Sequence, residues 1–76
     1  MWSKSNEEMT YEDYFVRGSI YKYVKDYTNA IKDFTKAIEL SPNEYWNYQL
    51  RGECYEALGD TEKAKADFVE AKLHGG

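Results

Sequence analysis

With 76 residues the chain has room for one small domain, whose core would contribute only about 3–5 kcal/mol net. A single cysteine, Cys54, and a single histidine, His74, exclude a disulfide framework and the common zinc spacings. A net charge of −4 and a pI near 4.9 argue against nucleic-acid backbones and anionic membranes, which both require clustered lysine and arginine.

The opening stretch, MWSKSNEEMT, has no apolar run of the kind a signal peptide carries, and no later segment is apolar enough to span a bilayer. A soluble, cytoplasmic chain is therefore expected, with residues 1–10 as an N-terminal segment. Thr10 followed by Glu12 and Asp13 reads as an N-cap with early acids at the positive end of a helix dipole. Met9 and Tyr14 stand where a hydrophobic staple would place them. The first helix is predicted from Tyr11 to Val24. Asp26 caps a second, from Tyr27 to Leu40, which Ser41-Pro42 ends because proline cannot continue a helix. Asn43 is expected to cap a third helix through Leu58, with Gly59 as its left-handed stop. Asp60 caps a fourth, from Thr61 to Leu73, ended by Gly75-Gly76. Such short loops imply antiparallel neighbours.

The second half restates the first. Tyr11, Tyr14, Arg17, Gly18, Tyr21, Asp26, Ala30, Asp33, Phe34 and Ala37 return 34 positions later as Tyr45, Tyr48, Arg51, Gly52, Tyr55, Asp60, Ala64, Asp67, Phe68 and Ala71. A fixed period of this length marks one structural unit written twice. Gly18 against Ala30, and Gly52 against Ala64, remove bulk so that the helices of each hairpin approach closely. Arg17 precedes Asp33 by sixteen residues, and Arg51 precedes Asp67 by the same distance, which predicts a guanidinium–carboxylate bridge within each hairpin. The competing use for the two arginines is to read an acidic ligand.

These residues resemble the tetratricopeptide repeat, whose pattern is W-x2-L-G-x2-Y, then A-x3-F, A and P. Gly18-x2-Tyr21, Ala30-x3-Phe34, Ala37 and Pro42 match in the first copy, and Gly52-x2-Tyr55, Ala64-x3-Phe68 and Ala71 in the second. Tyr14 and Tyr48 replace the tryptophan, and Arg17 and Arg51 the leucine. The resemblance implies an all-α fold, two antiparallel helix-turn-helix hairpins stacked as a short right-handed α-solenoid, with repeats at 11–44 and 45–76.

It also implies a non-enzymatic protein-binding scaffold whose first helices line a concave groove. Here that groove would carry Glu12, Phe15, Ser19 and Lys22, then Trp46, Gln49, Glu53 and Glu56. Phe15 and Trp46 lie outside the repeated core positions. Aromatic and acidic groups together suit a protein or peptide with apolar and basic side chains. The alternative is that Phe15 and Trp46 only pack on neighbouring helices. Some family members clamp the C-terminal carboxylate of chaperone tails with lysine and asparagine, but Phe15, Ser19 and Leu50 stand at those positions. Chaperone-tail binding is not expected.

The repeats differ at their ends. Ile31, Ile38 and Leu40 become Lys65, Lys72 and His74, so Ile31 and Ile38 are expected between the repeats and the lysines on a polar capping face. The array is expected to stop there. Upstream, Val16, Ile20, Tyr23 and Val24 form an apolar flank that only Trp2 and Met9 could cover. A second function class follows: self-association, as a homodimer pairing this flank across a two-fold axis. Its competitor is Trp2 folding back as a lid. An enzyme reading has little support: Cys54 sits in a core stripe, His74 has no triad-type partner, and no phosphate loop or cofactor motif occurs.

Overall fold

The computed structural model describes residues 5–76, so the folding back of Trp2 lies outside the described residues. A 3-10 turn at Asn6–Glu8 leads into α1 (Tyr11–Tyr23), α2 (Tyr27–Leu40), α3 (Tyr45–Ala57) and α4 (Thr61–Leu73). The fold is all-α: α1 pairs with α2, α3 with α4, and α2 packs on α3 to stack the two hairpins.

Local chemistry explains most boundaries. Thr10 Oγ1 accepts from the Asp13 amide at 3.3 Å while Asp13 Oδ2 accepts from the Thr10 amide at 3.0 Å, a reciprocal cap. Met9, just outside that cap, packs on Tyr14 and Ala37 and fixes the entry angle of the chain. Asp26 and Asp60 cap α2 and α4 through the amides of Asn29 and Lys63. Asn43 does not cap α3. It falls in the turn after Pro42, and the helix starts at Tyr45 with Glu44 at the cap position but no side-chain capping bond. The Tyr48 hydroxyl donates to the Pro42 carbonyl at 2.8 Å, which ties that turn to α3 and leaves Asn43 outside the helix.

α1 and α3 end alike. The Asp26 amide donates to the Tyr21 carbonyl at 2.8 Å, and the Asp60 amide to the Tyr55 carbonyl at 2.9 Å. This closure needs a left-handed residue, which is Gly59 at φ 86° in the second hairpin but Lys25 at φ 67° in the first. A Cβ in that region costs about 1–2 kcal/mol. Lys25→Gly is therefore expected to stabilise the protein by roughly 1 kcal/mol. A urea midpoint that stays put or falls, at unchanged slope, would show that the turn stores no strain.

The hairpins close tightly around glycine. A Cβ on Gly18 would lie 2.9 Å from Phe34 Cε1 and 3.1 Å from Asp33 Cβ, and one on Gly52 would lie 2.7 Å from Phe68 Cε1. Glycine thus makes room for the phenylalanine ring. Ala30 joins Phe34 and Cys54 in a core that Phe15, Tyr21, Tyr27, Ile31 and Leu50 complete. That core draws on α1, α2 and α3, so it binds the repeats to each other as well as the helices within one repeat.

Two expectations about the outer faces need correction. Ile31 and Ile38 are half-buried rather than enclosed between the repeats. The closing face of α4 is mixed rather than polar. Lys65 and Lys72 are exposed, but so are Val69 and Leu73, and Phe68 is only half-covered. Lysine replaced two isoleucines, yet Val69 replaced Thr35, and no helix among the described residues covers Phe68 as α3 covers Phe34.

Candidate partner-binding groove

Stacking the hairpins brings α1 and α3 side by side along one face. Phe15 from α1 meets Trp46 from α3 edge-to-face, with ring centroids 6.2 Å apart. Tyr45 also meets Trp46, with centroids 5.5 Å apart and again edge-on. Farther along, Lys22 Nζ lies 3.0 Å from Glu53 Oε1, and Gln49 Nε2 donates to Glu53 Oε2 at 3.1 Å. Both contacts join groove positions, and the lysine–glutamate pair crosses from one repeat to the other. Ser19 is half-buried near the middle of α1, while Glu12 and Glu56 are exposed at opposite ends.

This geometry alters the reading of individual residues. Phe15 and Trp46 do have packing partners: each other, and for Phe15 the core around Phe34. They remain half-open to solvent, so packing and recognition are not exclusive. Lys22 is not a lone cation, because Glu53 neutralises it. Phe15 and Leu50 both pack on the core, so two of the three positions where a carboxylate clamp would want lysine and asparagine serve packing instead.

The arginines are turned inward within their hairpins. Arg17 Nε and Nη2 donate to the two oxygens of Asp33 at 2.8 Å each. Arg51 grips Asp67 at 2.8 and 2.7 Å, and its Nη1 also donates to Thr35 Oγ1 at 3.1 Å across the repeat boundary. The hydrogen bonds to Asp33 and Asp67 raise both guanidinium pKa values above the usual arginine range, against the opposing effect of burial. Neither arginine presents its full fork to a ligand.

Nothing in the described residues assembles a reactive centre. Cys54 is fully enclosed, and burial pushes its thiol up to about 11, so no thiolate forms near neutral pH. His74 is better placed than its terminal position suggested. It stacks on Tyr48 with centroids 5.3 Å apart, and its Nε2 lies 3.6 Å from Glu70 Oε1. No group of three or more His, Cys, Asp or Glu among the described residues could hold a metal ion. No helix among them is long and apolar enough to cross a membrane.

Sequence reasoning missed Tyr45, which it assigned only to the repeat pattern, and the Thr35–Arg51 bond. It also missed Asn47, wholly enclosed, whose amide meets no hydrogen-bond partner among the described residues. No local signal marks such contacts, because they depend on how one hairpin sits on the next.

Residues 11–44 match the tetratricopeptide repeat family, and residues 34–66 match it again. The chain belongs to the tetratricopeptide repeat family. A heat shock protein sti1 homolog of Schizosaccharomyces pombe is similar, 34% identical over 61 residues that make up 80% of this chain and 10% of that protein. This tetratricopeptide repeat chain therefore spans about a tenth of the length of the curated relative it matches. No solved structure matches it. Repeats of this family generally mediate protein–protein interaction, and its members are typically non-enzymatic scaffolds.

Proposed function

We propose that this chain is a non-enzymatic, cytoplasmic interaction module that holds a partner segment against the α1–α3 face. The observation that carries the reading is the Phe15–Trp46–Tyr45 edge, half-open to solvent and built from both repeats. Glu12 is exposed near the aromatic end of this face and Glu56 at its far end, and the Lys22–Glu53 pair leaves no uncompensated cation among the groove positions. A peptide with apolar anchors and basic side chains meets both features. A terminal carboxylate does not, since apolar Phe15 and Leu50 stand at two of the three clamp positions and none of the three carries a cation.

The test is a labelled peptide alternating leucine with lysine, followed by anisotropy against a leucine–glutamate control. Trp46→Ala is expected to weaken binding by at least about 2 kcal/mol, roughly thirty-fold. It should cost roughly 2 kcal/mol of stability, from half-buried ring area together with two edge-on contacts, and leave the helices in place by circular dichroism. Equal binding of both peptides, or undiminished binding by the variant, would sink the groove reading.

A second reading, self-association as a homodimer, is favoured by a separate observation. Val16, Ile20, Tyr23 and Val24 are all exposed, and among the described residues nothing covers them. Mass measured across a concentration series tests it. A chain that stays monomeric at high micromolar concentration rules it out.

A further inference from the structure

The flank of α1 and the outer face of α4 are the two halves of a contact that the molecule already makes once. At the internal junction, Ile31 and Phe34 of α2 pack with Leu50 and Cys54 of α3. Shifted by one repeat, the α3 surface becomes Val16 and Ile20 of α1, and the α2 surface becomes Lys65 and Phe68 of α4. The internal versions are closed: Phe34 and Cys54 are both 0% exposed. Their counterparts are open, with Ile20 at 51% and Phe68 half-covered. A shallow cavity of about 360 Å³ lies on α4, lined by Lys65, Phe68, Val69 and Lys72.

We propose that a second copy of this chain lays its α1 flank in that cavity, repeating head-to-tail the junction of α2 with α3. The inference rests on the self-association reading and names the surface that receives the flank. Charge agrees with it. α2 leads into α3 through the turn at Pro42, so Ile38 stands toward the N-terminal end of α3. By the same placement Lys72 falls toward the N-terminal end of the second copy's α1, where Glu12 and Asp13 lie. The lysine stems cover apolar surface while their ammonium groups reach acids or water. The new junction is weaker than the internal one in one respect. Arg51 donates to Thr35, whereas Arg17 of the second copy would meet Val69, which cannot accept. The association is therefore reversible.

A head-to-tail contact leaves each end open, so it grows, whereas a two-fold contact closes at the dimer. Sedimentation equilibrium of the intact chain is expected to show mass rising with concentration past twice 9.0 kDa without a plateau there. Ile20→Glu and Val69→Glu alter exposed positions and should stay helical by circular dichroism. Each alone is expected to raise the dissociation constant at least tenfold. Mixed in equal amounts they should form a heterodimer and stop, because only one good flank and one good cavity remain. Lys72→Glu replaces Val69→Glu if that variant fails to fold. Self-association undiminished by Val69→Glu and by Lys72→Glu, closing at a dimer, would overturn the head-to-tail contact and leave the homodimer standing. A monomeric parent chain would overturn both, and a mixture that stays monomeric would overturn the head-to-tail contact alone.

Discussion

Asp67→Ala is expected to destabilise the protein by about 3 kcal/mol, the low end for breaking a buried ion pair. Asp67 is almost wholly enclosed and takes two hydrogen bonds from Arg51, whose side chain is 19% exposed. Removing the carboxylate leaves a guanidinium that stays charged throughout the working pH range and can reach water only in part. Arg51 would keep Thr35, which does not offset the charge. The raised pKa of Arg51 sets the sign of any pH effect. Its contribution is complete below the ordinary arginine value and is lost only as pH rises through the higher folded one. Replacing both partners by apolar residues, Arg51→Leu with Asp67→Ala, should cost less than the single change, since no orphan charge remains. Urea unfolding of the single and double variants checks this. A double variant as unstable as the sum of its parts would mean that the bridge is not the source of the loss.

Phe34→Ala is expected to cost about 3–5 kcal/mol. Its ring is 0% exposed, lies against Gly18, and shares one core with Ala30, Cys54 and side chains of three helices. A domain of this size has only about 3–5 kcal/mol net to lose. The variant should therefore be largely unfolded at 25 °C by circular dichroism. Phe68→Ala, at the same repeat position but half-covered, should cost about 1–2 kcal/mol and leave the helices in place. Equal losses at the two sites would show that covering by the next helix is not what makes Phe34 critical.

That contrast marks where the amino-acid sequence stops being enough. The four helices, the Thr10, Asp26 and Asp60 caps, the stop before Pro42 and the two-fold repeat were legible because each depends on neighbours a few residues away. Asn43 was the exception. Asparagine competes equally well for a cap or a turn, and a tyrosine hydroxyl from the following helix decided between them. The Arg17–Asp33 and Arg51–Asp67 spacings were also readable, since a hairpin with a short loop leaves little freedom in which residues face each other. What only the tertiary structure decided lies across the repeat boundary. Whether Phe15 meets Trp46, Lys22 meets Glu53, or Thr35 meets Arg51 depends on the angle at which one hairpin stacks on the next. That angle is set jointly by Ile31, Phe34, Leu50 and Cys54. The same holds for exposure: Phe34 and Phe68 are written alike in the chain, and only the presence or absence of a covering helix makes one of them core.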